Sequence, residues 1–571
     1  MMKIFIIIKI IFIVLFTGLL KSQTPEYLPG FPITIDSVYY PILYTATPVI
    51  TDFDNDGQNE VMFSLFKSQY TRIYILKSDG SNLKGWPITI FPAFSWPAIA
   101  AGDVDNDGHI DVVLRNNDSL YVFDYHGNSL NGFPVYYKTT RLSDLALYDI
   151  NNNGYLEIII KGGNNINVID HNGNTVSGWP RRLPGGIPES IVSPPVSVAD
   201  LDNDKFAEII INSSQCELGL ICDSSYTHVF RHDGSYFPGW PLKSDSNYFF
   251  YSQPATVYKD KSTDSTFLYI NSAYYFSNND TARTKTSKFS INGDLISKYY
   301  TQAVSESSSI ALSENINSLY QSFGSEPTPV FLFDKNNQLF NNYPVYGNGY
   351  YYNSPLLVKM NNQIFNVCYI TAIDMTLRGF IYFYNENSIQ PSWSPLRPLG
   401  LPRSAGSFCD LNNDGQLDFL LLTTASSNSL LTSIVHTWTF PGVIYDPKNL
   451  HWPMYGHDRY RTNQYGFIPP DEPVGIQPFS TAVPERFSLS QSYPNPFNPV
   501  TTIKFDIRTS SDVKLTIFDA LGRQLESLVN QRLATGTYSL TFDGSSFSSG
   551  VYFYKLDAGE FSETKRMILL K

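Results

Sequence analysis

The chain of 571 residues is poor in cysteine, in charged side chains and in long apolar runs. Only four cysteines occur, which excludes a scaffold held together by many disulfides. Charged residues make up 16% of the chain and leave a net charge of -12, so nucleic acid is not expected as a partner. Beyond the N-terminal region no apolar run reaches the roughly 18 residues that a membrane-spanning helix needs. We therefore expect no transmembrane segment in the mature chain.

Recognisable catalytic motifs are also missing. The eight histidines show neither HExxH nor HxH spacing, and GSFCD around Cys409 is not a known nucleophile setting. His126, His171 and His232 fall at or beside the repeated turns and are interpreted as surface turn residues. The sequence thus favours a binding protein over an enzyme. Spacing alone does not exclude catalysis, because the residues of one site can come from distant repeats.

The N-terminus has the organisation of an export signal. Lys3 and Lys9 supply positive charge, and an apolar run of 11 residues, IIFIVLFTGLL (10–20), follows. This run is too short to span a bilayer, and small and polar residues come next. We predict a signal peptide over residues 1–22, cleaved near Ser22.

Export places the chain in an oxidising compartment, where disulfides are stable. Cys216 and Cys222 are close enough in sequence to close a small loop. Cys368 and Cys409 lie in separate strand-like segments, and their pairing is a further possibility.

A nine-residue acidic pattern, D-x-[DN]-N-[DN]-G-x-x-[DE], is the most distinctive feature of the chain. Its first copy is DFDNDGQNE (52–60), and similar copies start at Asp103, Asp149, Asp200 and Asp410. The starts are 51, 46, 51 and 210 residues apart, and the last interval equals about four periods. Three degraded copies, near residues 257, 311 and 358, fill that interval. The chain therefore contains eight cycles by count.

A second pattern runs in step with the first. An Asp/Asn-Gly turn followed by an aromatic-Pro pair recurs, as in SDGSNLKGWP (78–87) and HDGSYFPGWP (232–241). Each cycle has about four short strands, and repeats of this length are typical of propellers. We predict an all-β fold: a seven- or eight-bladed β-propeller, eight blades being counted, followed by a small C-terminal β-sandwich. Residues 28–45 precede the first full cycle and are expected to complete the last blade and close the ring.

The acidic loops have the chemistry of a calcium site. Side-chain oxygens at alternate positions, a glycine turn and a carboxylate at position 9 form an all-oxygen donor set, which suits calcium better than zinc or copper. In the first loop the side chains of Asp52, Asp54 and Asp56, the carbonyl of Gln58 and the carboxylate of Glu60 are the predicted ligands. The flanking segments are rich in Val and Ile, which disfavours an EF-hand. A metal-free Asx/Gly turn is the alternative for any single loop.

The predicted ligands of the other four loops occupy the same positions. They are Asp103, Asp105, Asp107, His109 and Asp111; Asp149, Asn151, Asn153 and Glu157; Asp200, Asp202, Asp204 and Glu208; and Asp410, Asn412, Asp414, Gln416 and Asp418.

The loops differ in quality. The loop at 149 has only two formal charges and is expected to bind more weakly. The loop at 200 has Lys205 in place of glycine, which predicts a strained turn and places a cation nearby. Up to five calcium ions would offset the 17 acids of the five loops. We predict a structural role for these ions, since metal that binds only the folded chain stabilises it.

At these residues the chain resembles the FG-GAP/VCBS repeat family of integrin-α-type β-propellers, over about 28–465. The resemblance is strong around the intact loops and weak from about 250 to 400. It implies seven or eight blades, calcium in the loops, and adhesion or ligand binding. WPMYGHDRYRTNQY (452–465) looks like the closing segment that is common after such repeats.

The C-terminal region is a separate module. Residues 466–486 are rich in proline and are interpreted as a linker, and 487–571 show alternating strands joined by Gly turns. YPNPFNP, IFDALGR, SGVYFY and the terminal KRMILLK resemble the type A C-terminal sorting domain of the type IX secretion system. The resemblance implies Sec export, the secretion machinery as a partner, and delivery outside the outer membrane, with release or surface attachment.

Three functional hypotheses remain from the sequence. The first is a secreted or cell-surface propeller that binds an unknown protein or glycan ligand. The second is a polysaccharide-acting enzyme of the lyase type, since some lyases use calcium-bearing propellers. The third is a structural component of the cell surface. The fold alone does not supply the ligand.

Overall fold

The computed structural model describes residues 24–571 apart from internal stretches, of which the longest are 184–194, 275–282, 302–309, 321–327, 348–354, 372–378 and 470–477. The predicted signal peptide, residues 1–22, lies outside the described residues.

Antiparallel strands build the larger domain. Two strands come first, β1 (Glu26–Tyr27) and β2 (Ile33–Tyr39). Sheet 1 contains β3 (Tyr44–Thr45), β4 (Val49–Thr51), β5 (Glu60–Lys67), β6 (Tyr70–Leu76) and β7 (Ile88–Ile90). Sheet 2 contains β8 (Ala98–Gly102), β9 (Asp111–Asn116), β10 (Ser119–Phe123) and β11 (Val135–Tyr136). Sheet 3 contains β12 (Leu142–Tyr148), β13 (Glu157–Gly162), β14 (Asn165–Ile169) and β15 (Arg181–Arg182). Sheet 4 contains β16 (Ser197–Ala199), β17 (Glu208–Cys216), β18 (Cys222–Phe230) and β19 (Leu242–Lys243).

The second half continues in the same manner. Sheet 5 contains β20 (Tyr248–Phe249), β21 (Thr256–Asp260), β22 (Ser265–Tyr274), β23 (Arg283–Ser290) and β24 (Leu295–Thr301). Sheet 6 contains β25 (Ala311–Leu312), β26 (Ile316–Tyr320), β27 (Thr328–Asp334) and β28 (Val345–Gly347). Sheet 7 contains β29 (Leu356–Met360), β30 (Gln363–Thr371) and β31 (Gly379–Asn385). Sheet 8 contains β32 (Leu401–Pro402), β33 (Ser407–Cys409), β34 (Gln416–Ser427) and β35 (Leu430–Ile444). A 3₁₀ helix (Pro447–Asn449) follows, and β36 (Gln464–Tyr465) joins sheet 5.

Each sheet contacts the next, and sheet 8 contacts sheet 1, so that the sheets form a closed ring. The all-β propeller prediction is confirmed. Eight sheets are present among the described residues of this domain, while the number of blades stays a prediction because several connections lie outside those residues. The three degraded copies of the acidic pattern coincide with the hairpins β21–β22, β25–β26 and β29–β30.

The ring closes through strands from both ends of the domain. β1 and β2 pair with β35 of sheet 8, with Glu26 opposite Thr439 and Ile33 opposite Val435. The expected closing role of the N-terminal segment is thus confirmed for β2, whereas β3 belongs to sheet 1. Cys409, at the end of β33, is a buried free cysteine and forms no disulfide with Cys368.

The repeated aromatic-Pro pairs hold neighbouring sheets together. The indole of Trp86 donates a hydrogen bond to the carbonyl of Tyr125 in sheet 2 at 2.9 Å, and its ring meets Phe123 edge-on at 6.3 Å. Trp179 and Trp240 make the same bonds to the next sheet, at 3.0 and 2.7 Å. A Cβ on Gly85 would lie 2.0 Å from the carbonyl oxygen of His126, so only glycine permits this approach.

The C-terminal domain is the predicted β-sandwich. One sheet contains β37 (Pro478–Ser480), β38 (Ser488–Leu489), β39 (Val500–Ile507) and β42 (Gly536–Asp543). The other contains β40 (Ser511–Phe518), β41 (Gln524–Leu533), β43 (Gly550–Ala558) and β44 (Phe561–Leu569). The two sheets enclose one apolar core. β37 pairs with β42, so part of the segment interpreted as a linker belongs to this domain.

Candidate metal loops

The five acidic loops have one backbone conformation, which the first aspartate organises. Oδ1 of Asp52 accepts a hydrogen bond from the N–H of Asp56 at 3.1 Å, and Oδ2 accepts one from Gly57 at 2.8 Å. The four equivalent aspartates accept the same pair of bonds, at 2.8–3.2 Å. Each loop begins where the innermost strand of its sheet ends.

The acid at position 9 fixes the other end of the loop. Oε2 of Glu60 accepts a hydrogen bond from the N–H of Phe53 at 2.9 Å, and the equivalent acids do the same at 2.9–3.0 Å. These acids lie at or near the start of the second strand, whose apolar residues fill the core, so the carboxylates are buried with it. Glu60, Glu208 and Asp418 are 0% exposed.

Three loops bring three carboxylates to one point. Their ligand atoms lie within 4.8 Å of one another in the groups Asp52, Asp54 and Glu60; Asp103, Asp105 and Asp111; and Asp200, Asp202 and Glu208. These are positions 1, 3 and 9 of the pattern, three of the five predicted ligand positions. At position 5 the side chain instead accepts the N–H of position 7, as from Gln58 to Asp56 at 2.9 Å, and His109, Tyr155, Phe206 and Gln416 repeat this bond.

The other two loops have asparagine at position 3 and satisfy their acids differently. The amide of Asn151 donates to Oε1 of Glu157 at 2.7 Å. The hydroxyl of Thr439 donates to Oδ1 of Asp418 at 2.6 Å, and Asn412 donates to Asp414. The loop at 149 therefore differs from the first as the sequence indicates. In the loop at 410, side-chain donors already bond oxygens of Asp414 and Asp418, which are predicted metal ligands.

Several buried oxygens in the loops have no hydrogen-bond partner. They are Glu60 Oε1, Asp105 Oδ1, Asn151 Oδ1, Asp202 Oδ1 and Glu208 Oε1. Buried polar atoms are nearly always satisfied, and an unsatisfied carboxylate oxygen is costly. Hard oxygen donors of this kind are the ligands of calcium and magnesium, so the residues present fit a divalent cation.

The electrostatics of the loops lead to the same conclusion. Burial, reinforced by the neighbouring aspartates, raises the pKa of Glu60 and of Asp111 to about 9 and that of Glu208 to about 8. Burial also raises the pKa of Asp52 to about 7. Without a bound metal ion, these acids retain protons more strongly than in the unfolded chain. A cation would favour the ionised form instead.

Basic side chains already lie at two of the loops. Nζ of Lys77 is 3.1 Å from carboxylate oxygens of both Asp54 and Asp56. Arg231 lies 3.7 Å from Asp202 and from Asp204. Lys77 directly follows β6 and Arg231 directly follows β18, at a place where sheets 2 and 3 have Asp124 and Asp170. Sequence reasoning missed them, although their equivalent place in the repeat could have indicated their position.

Lys205 occupies the glycine position without disrupting the loop. Its backbone has a φ of 74°, in the left-handed region that glycine adopts in the other loops. Its N–H donates to Asp200 Oδ2 at 3.0 Å, as the glycine does elsewhere. The predicted strain is present, since a side chain in this region costs about 1 kcal/mol or more.

The loops are also connected to one another. Nδ2 of Asn55 donates to the carbonyl of Gly108 in the next loop at 2.7 Å. Across the junction of sheets 8 and 1, Asn413 donates to the carbonyl of Gly57, and Asn59 donates to that of Asp410 at 2.8 Å. The loop at 410, isolated by 210 residues in the sequence, is therefore the spatial neighbour of the first loop.

Position 7 of the loops supports a row of stacked rings. His109 stacks on Tyr125 with centroids 4.7 Å apart, Tyr155 on His171 at 4.0 Å, and Phe206 on His232 at 4.4 Å. His171 and His232, which the sequence indicates as turn residues of the repeat, take part in these stacks.

Comparisons with known proteins identify both domains. The model of the FG-GAP-like repeat matches residues 52–114, 103–160 and 149–211, and that of the secretion system C-terminal sorting domain matches 491–570. No curated protein matches the chain. In the described part of the chain, no helix has the length and apolar content required to span a bilayer.

Solved structures give only distant likenesses. The V. cholerae biofilm matrix protein Bap1 is 13% identical, with 75% of this chain and 92% of that chain covered and a TM-score of 0.38. BBS1N, solved in complex with ARL6DN, is 8% identical over 72% and 98%, with a TM-score of 0.36. PorZ of Porphyromonas gingivalis is 11% identical over 96% and 85%, with a TM-score of 0.17. At these scores the likenesses carry no conclusion about this chain.

The FG-GAP-like matches fall within sheets 1 to 4, and the sorting-domain match falls within the C-terminal sandwich. The sorting domain implies export through the type IX secretion system to the cell surface or beyond. The chain therefore contains FG-GAP-like repeats within its propeller domain and a secretion system C-terminal sorting domain in its C-terminal sandwich.

Proposed function

We propose that the protein is a calcium-stabilised propeller that binds a protein or glycan ligand outside the cell. The observation that carries the metal part is the set of buried, unpartnered carboxylate oxygens that converge in the acidic loops. The sorting domain supports a role outside the cell. Repetition of the loop on successive sheets supports a structural rather than a catalytic use of the metal.

In this proposal each loop holds one ion, giving up to five. Calcium, when bound, supplies a double positive charge that accepts oxygen ligands from several directions. In the first loop Asp52, Asp54, Asp56, the Gln58 carbonyl and Glu60 would hold it. The carboxylate of Glu60 accepts a hydrogen bond from the N–H of Phe53 and so connects the start of the loop to β5. Burial disfavours the ionised form of this carboxylate, whereas a bound metal ion would favour it.

Thermal unfolding of the metal-free and calcium-saturated protein tests the metal part. One loop contributes about 2.7 kcal/mol at a free calcium concentration 100 times its dissociation constant. We expect calcium to raise the unfolding midpoint by several degrees. Glu60→Gln, which keeps the shape and removes the charge, should reduce that rise. Asp260→Asn, at the end of β21 in a sheet without an acidic loop, is the matched control. An unchanged midpoint on calcium addition contradicts the proposal.

Binding and turnover separate the three functional hypotheses. A glycan array and a pull-down with extracellular proteins test binding, and the absorbance of unsaturated sugars tests lyase activity. We expect saturable binding to one ligand class without turnover. Clear turnover would favour the enzyme, and an ordered lattice with neither would favour a structural surface component.

A further inference from the structure

The inner edges of the sheets face a segment of the chain that follows the ring. Residues 452–465, here called the axis segment, accept backbone hydrogen bonds from the innermost strands of six sheets. The donors are Leu357, Phe408, Ala101, Leu147, Val198 and Val257, at 2.9–3.1 Å. Each donor lies in the strand that forms the inner edge of its sheet, and unpaired edge groups otherwise require water or another chain.

Side chains extend these contacts. Arg461 donates to the carbonyl of Thr47, between β3 and β4 of sheet 1, at 2.9 Å and to that of Ile99 in sheet 2 at 3.3 Å. Arg459 donates to the carbonyl of Ala101 at 3.2 Å, and Asn463 to that of Val196 at 3.2 Å. The segment thus contacts seven sheets directly through hydrogen bonds.

The axis segment is buried and internally braced. Trp452, Arg459 and Tyr460 are among the largest fully buried side chains of the protein. Oδ1 of Asp458 accepts the N–H of Tyr460 at 2.9 Å, and the Thr462 hydroxyl bonds its other oxygen. The segment therefore has a defined shape that the inner edges match.

We propose that the inner edges form a peptide-binding groove and that the axis segment is its ligand. The non-covalent contacts of the axis segment are strong enough to keep it, and the sorting domain that follows it, bound to the ring after the chain is cut between sheet 8 and Trp452. The groove recognises an irregular peptide with two arginines that reach main-chain carbonyls. In the exported protein, a cut before Trp452 therefore leaves the sorting domain attached to the ring. Only a cut after Tyr465 separates the two.

Two full-length variants test this proposal, each with one inserted protease site. The first site follows Lys448, an exposed residue of the 3₁₀ helix between sheet 8 and the axis segment. The second lies within 471–477, after the axis segment. Both proteins are cleaved under native conditions and passed over a size-exclusion column, with circular dichroism as the check on the fold.

We expect the first variant to elute as one particle that contains both pieces, and the second to release the sorting domain. Elution of the two pieces apart in the first variant, or loss of its fold on cleavage, would overturn the proposal. Retention in the second variant as well would also overturn it, because the sorting domain itself would then hold the pieces together.

A substitution series in the first variant tests the arginine contacts. Arg461→Ala should lower the urea concentration at which the cleaved piece dissociates, and Arg461→Lys should lower it less because one charged donor remains. Lys448→Ala is the control, because Lys448 is exposed and lies on the N-terminal side of the cut, outside the axis segment. It should leave that urea concentration unchanged. Equal effects of the two Arg461 substitutions and the control would contradict the assigned recognition.

Discussion

The ring contains two arcs that share a fold and differ in chemistry. The loop arc consists of sheets 8, 1, 2, 3 and 4, which are consecutive around the ring and carry the five acidic loops. The hairpin arc consists of sheets 5, 6 and 7, where the corresponding strands are separated by two to four residues. In sheet 7 only Asn361 and Asn362, both with positive φ, connect β29 to β30. In the described residues of the hairpin arc, no cluster of three acids converges.

The difference shows that an acidic loop is not required to build a sheet of this ring. A two-residue turn with both residues in the left-handed region joins the same two strands. The acidic loops add a feature that turns do not have, since in three of them carboxylates converge in an arrangement that fits a divalent cation. Stability in the loop arc should depend on metal, and stability in the hairpin arc should not.

Metal removal should give the largest effect and should separate the arcs. We expect amide hydrogen exchange in β5, β9 and β17 to accelerate by roughly 100-fold when calcium at 100 times its dissociation constant is withdrawn. Exchange in β22 and β30 should change much less. Mass spectrometry of peptides from the two arcs measures the effect, with magnesium replacing calcium as the control. Equal acceleration in both arcs would show that the ring responds as one unit.

When calcium keeps the loop acids ionised, acidification should destabilise the loop arc through two buried histidines. Burial lowers the pKa of His228 and of His436 to about 4. Because the unfolded chain titrates near pH 6.5, it binds more protons than the folded chain between pH 6.5 and 4, so the free energy of unfolding falls as the pH falls through this window. The loss approaches about 3 kcal/mol per histidine at the lower end.

His228→Gln tests this pH dependence. Denaturant unfolding at pH 7, 5.5 and 4.5 should give a shallower decline for the variant than for the unchanged protein. His126→Gln, at an exposed turn, is the control, since its loss should leave the slope as it was. A parallel decline for His228→Gln and the unchanged protein would contradict the assigned origin of the effect.

The junction between sheets 8 and 1 should weaken when its asparagine contacts are removed. Asn413→Ala loses the bond to the Gly57 carbonyl, and we expect a cost of about 1 kcal/mol. A double-mutant cycle with Asn59→Ala measures the coupling between the two contacts. Asn128→Ala, which affects contacts within one turn of sheet 2, is the control. Additive losses of stability in the cycle would mean that the Asn413 and Asn59 contacts act independently of each other.

The smallest expected effect is a gain. Lys205→Gly places the residue suited to positive φ in the loop at 200, and we expect it to stabilise the protein by about 0.5–1 kcal/mol. Calcium affinity of that loop should rise slightly, because one positive charge leaves its surroundings. Chemical denaturation and calcium titration measure the two effects. The same change at Lys243, on an outer strand, should not stabilise the protein.

Much of the architecture could be predicted from the period of the sequence. The alternation of apolar strands and turns repeats locally, so the sheets, the loop positions and the role of the tryptophans could all be read from one cycle and transferred to the next. The three carboxylates that meet in the first loop lie within nine residues, and their spacing alone predicted that Asp52, Asp54 and Glu60 converge.

Contacts between distant residues could not be predicted in this way. Asn59 bonds the carbonyl of Asp410 across 351 positions, and Arg461 bonds that of Thr47 across 414. The expected ring closure places the loop at 410 next to the first loop, but a period does not state which side chains then form contacts. The axis segment was indicated only by its resemblance to a closing segment, and its hydrogen bonds to the inner edges could not be predicted.

The missing side chains at the aromatic-Pro turns set the curvature of the ring. A methyl group on Gly85 would lie 2.0 Å from a main-chain oxygen of sheet 2, and one on Gly239 would lie 2.0 Å from a main-chain oxygen of sheet 5. Neither oxygen can move without its whole turn, so alanine at these places would open the wedge between adjoining sheets at its outer end. A ring with wider wedges encloses its axis with a different circumference. How well the two ends of the domain meet therefore depends on these glycines as well as on the strands that pair there.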